Sequence, residues 1–101
     1  MLKFKQFRCY VEEFNDGNKI SARLRDIDSD KQIQILSKVS HDEFEYIDFL
    51  DDLLAKKTLW PGLFSRTDPS DAVKLEGNVV KTTNDSILID FDDSLAYSVE
   101  L

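Results

Sequence analysis

Between Asp42 and Asp52 the chain places six carboxylates in eleven residues without one lysine or arginine, and its apolar residues recur there at helical spacing. Such a segment is stable as a helix with one side covered and the other in water. At 100° per residue, Tyr46, Ile47, Phe49, Leu50, Leu53 and Leu54 fall within an arc of roughly 160°. Glu45, Asp48, Asp51 and Asp52 occupy a separate arc of about 120°. Ser40 and Glu43 have capping-box spacing, in which each side chain satisfies a backbone N–H at the helix start. Asp42 and Glu43 suit the positive end of the helix dipole, and Lys56 and Lys57 the negative end. Pro61-Gly62 marks the stop.

An amphipathic helix needs a partner, and the flanking segments supply strands. Phe7, Cys9 and Val11 alternate with Arg8, Tyr10 and Glu12, a period of two rich in aromatics. Asn15-Asp16-Gly17-Asn18 then reads as a tight hairpin, with Asp-Gly supplying the positive φ values. A second strand sets Ile20, Ala22 and Leu24 against Ser21, Arg23 and Arg25, although Lys19–Ile27 also admits a short helix. After a turn at Asp28-Ser29-Asp30, a third strand carries Ile33, Ile35 and Val39 inward. Beyond the helix, Val73, Leu75 and Val79 define a fourth, in which Gly77 suggests a bulge or a close backbone approach. Thr83-Asn84-Asp85 and Asp92-Asp93 read as turns around Ile87–Phe91. Leu95–Leu101 alternates to the end of the sequence. The expectation is a single α+β domain over residues 1–101. It has β3-α-β3 order, and its one amphipathic helix packs on a small antiparallel sheet or partly open barrel.

Composition narrows the function. The 42% hydrophobic content suits a globular chain, and no apolar run reaches the roughly 20 residues needed to span a bilayer. The N-terminus lacks the apolar core of a signal peptide, and Cys9 is the lone cysteine, so a reducing cytoplasmic setting is expected. Residues 1–38 hold eight bases and six acids, whereas residues 39–101 hold five and fourteen; +2 and −9 give the net charge of −7. That balance repels phosphate backbones, so direct nucleic-acid binding is disfavoured and a basic protein becomes the natural partner. Lys3, Lys5, Arg8, Arg23 and Arg25, with Phe4 and Tyr10, could imitate a base-stacking sheet surface, but Glu12 and Glu13 oppose it.

Catalytic chemistry has few components. His41 is the only histidine and sits beside the helix cap. Cys9 belongs to the apolar row of its strand, where a small buried hydrophobe is expected rather than a reactive thiolate. Glycines at 17, 62 and 77 cannot build a phosphate loop, and no zinc-ligand spacing or matched nucleophile and base is visible. Asp26, Asp28 and Asp30 copy the start of a calcium loop. The sixth position is Lys31 instead of glycine and the twelfth Ser37 instead of glutamate, so solvated turn aspartates are expected. Neither metal, cofactor nor enzymatic activity is expected.

These residues point to a small acidic binding protein that blocks a basic partner. Its carboxylates would be Glu45, Asp48, Asp51 and Asp52, extended by Asp90, Asp92 and Asp93. Leu59-Trp60-Pro61-Gly62-Leu63-Phe64 either folds back over the helix end as a lid or stays exposed, with Trp60 and Phe64 as apolar anchors. Proteins of this type include phage-borne inhibitors of nucleic-acid-handling defence systems, among them nucleic-acid mimics and anti-CRISPR proteins, and toxin-immunity proteins. No motif assigns the chain to any of them. The alternative is a structural or assembly subunit that forms a homo-oligomer. A monomer or homodimer is expected.

Overall fold

Alternation along Lys3–Asp16 makes a long first strand, β1, whose inward row Phe7, Cys9 and Val11 is buried. The computed structural model describes residues 3–36, 40–65, 71–90 and 96–100; for 40–45 and 96–100 it describes the backbone. The remaining elements are β2 (Lys19–Asp26), β3 (Gln32–Ile35), α1 (Ser40–Ala55), a 3-10 turn (Pro61–Phe64), β4 (Ala72–Thr82), β5 (Ser86–Asp90) and β6 (Ala96–Glu100). Lys19–Asp26 is therefore strand, and the order of strands about one helix is as expected. The capping-box side chains of Ser40 and Glu43, and Val39, lie outside the described residues.

The strands do not form two separate meanders. They run β1-β2-β3-β5-β4, and β1 pairs with β4, so five strands close into a barrel. β1 manages both neighbours by dividing its length. Lys3–Cys9 pair with β4, and Cys9–Asp16 pair with β2. β3 lies parallel to β5, with Ile33 opposite Ile87. This parallel pair replaces the wholly antiparallel or partly open arrangement expected from the sequence, and it removes the free edges that an open sheet would leave along this seam.

Local details differ in instructive ways. The β1–β2 hairpin pairs Asp16 with Lys19, so its two-residue loop is Gly17-Asn18, one position later than Asp-Gly. Gly17 has φ of +65°, and it occupies the first loop position, where a type II′ turn needs glycine. In β4 the irregularity falls between Val79 and Lys81, while Gly77 is an ordinary paired position opposite Lys5. Asp92 and Asp93, read as a turn from the sequence, lie outside the described residues. Asp90 faces Asn78 and Ala96 faces Glu76, both antiparallel to β4 on the edge away from β1. β6 thus continues β5 in the same direction.

The core is the barrel interior joined to the helix. Leu24, Ile33, Val73, Leu75, Ile87 and Ile89 line it, and Tyr46, Leu50 and Leu53 of α1 close one end. That end lies where β1 stops and β2 starts, and where β3 leads into the helix. The opposite end gathers the start of β1, the β2–β3 turn and the β4–β5 hairpin.

Tyr46 carries an anomaly. Its ring is buried, yet its hydroxyl meets no hydrogen-bond partner among the described residues. A buried hydroxyl without a partner is a net cost. Tyr46→Phe is therefore expected to raise the unfolding free energy by about 1 kcal/mol, read from the urea midpoint at unchanged slope. A loss of stability would show instead that the hydroxyl is satisfied.

Candidate functional site

Seating Tyr46, Leu50 and Leu53 on the barrel leaves Ile47, Asp48, Asp51 and Asp52 along the solvent side of α1. Spacings of three and four residues make these neighbours on one helical stripe. Asp52 is held by Lys56, with Nζ donating to Oδ2 at 2.9 Å. Asp48 and Asp51 have no ion pair or hydrogen bond among the described residues. Glu45 belongs to the helix by its backbone; its side chain, like Asp92 and Asp93, lies outside the described residues. Asp90 is buried at 3% exposure, so it does not extend the acidic surface as the sequence reading supposed.

The two lysines that follow the helix do not cancel the bare pair. Lys56 also lies over the Trp60 ring at 5.5 Å, and Lys57 lies over Phe64 at 5.4 Å while donating to Glu13 of β1. Trp60 and Phe64 are half-buried against the core, and Leu63 between them is fully buried. The Trp60 loop is therefore a lid. Two large apolar side chains of this segment are exposed, Ile47 on the helix at 43% and Leu59 beyond its end at 70%. Ile47 stands at the limit of the apolar arc next to Asp51, which is the sequence feature that marks it as half outside. Leu59 had no such marker, because only the backbone turn after Lys56 aims it outward.

The two arginines of β2 are engaged internally. Arg23 and Arg25 both reach Glu12, Arg23 Nε at 3.5 Å from Oε1 and Arg25 through Nε to Oε2 and Nη2 to Oε1. Arg23 stacks over Phe14 at 3.8 Å. Arg25 Nη1 also donates to the Asp30 carbonyl at 3.0 Å, and Tyr10 donates its hydroxyl to the Asp30 carboxylate. The bond to Glu12 holds the Arg25 guanidinium above its ordinary pKa, and burial followed by the Asp30 bond pushes the Tyr10 phenol up to about 12.

The possible chemical groups are likewise committed. Asp26 accepts from Ser29 N at 3.1 Å and Ser29 Oγ at 2.7 Å, and Asp30 takes the left-handed turn position at φ of 61°. Two of the three calcium-loop aspartates thus build the turn. Cys9 is completely buried, and its thiol is pushed up by burial and then by the neighbouring Asp26 charge. It is a core residue rather than a nucleophile. No helix of the described residues is long and apolar enough to cross a membrane. Comparison with protein-family models, with curated proteins and with solved structures finds no match for this chain.

Proposed function

We propose that the protein is a non-enzymatic acidic binding module that blocks a basic partner protein through the outer face of α1. The observation that carries this reading is the pair Asp48 and Asp51, exposed and without a counter-ion among the described residues, on a helix whose opposite side is anchored in the barrel. Unpaired surface carboxylates steer a cationic partner, and their effect is chiefly on association rate. Ile47 on the same helix, and Leu59 beyond its end, supply apolar contact that slows release. An inhibitor of a nucleic-acid-handling system, or an immunity protein for a basic toxin, would use both.

A competing reading comes from the barrel. Five-stranded Greek-key barrels include oligonucleotide-binding domains, whose ligands lie across β2 and β3. Architecture alone does not carry function. On the matching outer face of this chain, Glu12 already occupies Arg23 and Arg25, which argues against a phosphate backbone there.

The test is affinity capture from the source cells and from their natural antagonists, with the wild type and Asp48→Lys/Asp51→Lys side by side. The expected partner is a basic protein. Its association rate with the wild type falls steeply as salt rises, and the double substitution slows association by about tenfold or more at low salt. Folding stability should change by no more than about 0.5 kcal/mol, as for other surface substitutions. A partner captured equally by the charge-reversed protein would remove the proposal. A salt-sensitive oligomer of the protein alone would favour the assembly-subunit reading.

A further inference from the structure

The barrel end opposite the helix opens into a cleft of about 360 Å³, lined by Lys3, Lys5, Lys31, Asp26 and Ser29 above an apolar wall that includes Phe7. The inward row of β1 explains how it forms. Deep in the barrel that row is Phe7, Cys9 and Val11; toward the strand's start it continues as Lys5 and Lys3. A core row that turns cationic at the rim places ammonium groups over the mouth, and Lys5 Nζ lies 5.1 Å from the centre of the Phe7 ring. Lys31 joins from the β2–β3 turn, and Val79, Thr82 and Ile87 complete the wall.

None of the three lysines has an acidic partner among the described residues. Among the described residues the only carboxylate lining the cleft is that of Asp26, whose Oδ2 is taken by Ser29 while Oδ1 accepts no hydrogen bond. Three cations, one open acceptor and an apolar wall make a divided recognition surface. We propose that this cleft binds a nucleoside monophosphate, with the phosphate held by Lys3, Lys5 and Lys31, an amino group of the base donating to Asp26, and the base lying against Phe7, Val79 and Ile87. The cleft falls within the roughly 300–1,000 Å³ of small-molecule sites. Inorganic phosphate would use the lysines and leave the wall wet. An uncharged nucleoside would leave the cations unanswered.

The overall negative charge does not forbid an anion here. Charges separated by more than about 8 Å are largely screened at physiological salt, and the acidic helix lies at the other end of the barrel. The proposal is therefore independent of the helix-face reading, and either can fail alone.

The experiment is calorimetric titration of the folded protein with AMP, adenosine and inorganic phosphate at low salt. AMP should bind one-to-one, and the other two at least about tenfold more weakly, the loss expected for a missing charge-assisted contact set. Lys31→Glu and, separately, Lys5→Glu should each weaken AMP by about tenfold or more, with circular dichroism unchanged. Asp48→Lys should leave it unaltered. Amide resonances of Lys5, Lys31 and Thr82 should shift on addition of AMP. The proposal is overturned if AMP gives no saturable binding at millimolar concentration. It is equally overturned if phosphate binds as tightly as AMP, or if both charge reversals bind like the wild type.

Discussion

Raised above neutral pH, the protein is expected to keep its stability to about pH 8 and then lose it increasingly, at up to about 1.4 kcal/mol per pH unit for each of two buried groups. The groups are the Cys9 thiol and the Tyr46 phenol. Both are neutral when protonated, and burial pushes both pKa values up, helped by Asp26 at Cys9 and by Cys9 at Tyr46. In the unfolded chain they ionise near their ordinary values of about 8.5 and about 10. Above those values the unfolded state holds fewer protons than the folded state, so each further pH unit favours unfolding. Below them both states are protonated, and neither group contributes to the pH dependence. With both titrating, the slope doubles above about pH 10, and a few pH units remove a large part of a domain stability of about 5–15 kcal/mol. Urea midpoints from pH 8 to 11 would measure it. Tyr46→Phe should remove part of the steeper loss beginning near pH 10, the raised Tyr10 phenol contributing the rest, and Cys9→Ala the earlier part near pH 8.5. The readout is the slope against pH, so a cavity left by the alanine does not confuse it. If both variants keep the wild-type slope, these two side chains are not shielded from solvent in the folded protein.

The strands and the helix were legible because side-chain period reports directly on which face is covered. Phe7, Cys9 and Val11 announced an inward row, and Leu50 and Leu53 announced the seated side of α1. Period says nothing about neighbours, however. Nothing in Ile33 or Ile87 indicates that their strands would run parallel and close the barrel. β5 and β6 follow one another along the same edge of β4, an arrangement that the sequence does not mark. The acidic row was readable from spacing alone, as far as Asp48 and Asp51. Burial of Asp90 was not, because Asp90 belongs to the row opposite Ile87 and Ile89, and a strand's second face is covered only by tertiary context. The lysine rim was available in principle. Lys3 and Lys5 share parity with Phe7, but grouping them by charge with Arg8 and Arg23 concealed that they stand on the other side of the strand.

Leu53→Ala is expected to destabilise the protein by about 3 kcal/mol, whereas Leu59→Ala should change it by no more than about 0.5 kcal/mol. The two substitutions delete the same atoms from residues six positions apart. Leu53 is 1% exposed, at the contact of α1 with the barrel, and Leu59 is 70% exposed just beyond the helix. At Leu53 the loss combines transfer of the side chain with a cavity that the barrel wall cannot collapse to fill. For a domain of this size that corresponds to a fall in melting temperature of about 15 °C, measurable by calorimetry. Near-equal values would mean that α1 is not seated on the barrel in solution. The comparison reaches the proposed function as well, because Asp48 and Asp51 face outward only while Leu50 and Leu53 face in. Leu59→Ala should therefore leave the fold intact and still speed dissociation of the basic partner. Under the proposed function, stability and binding then separate on two leucines of one short segment, the buried one holding the acidic face in place and the exposed one meeting the docked partner.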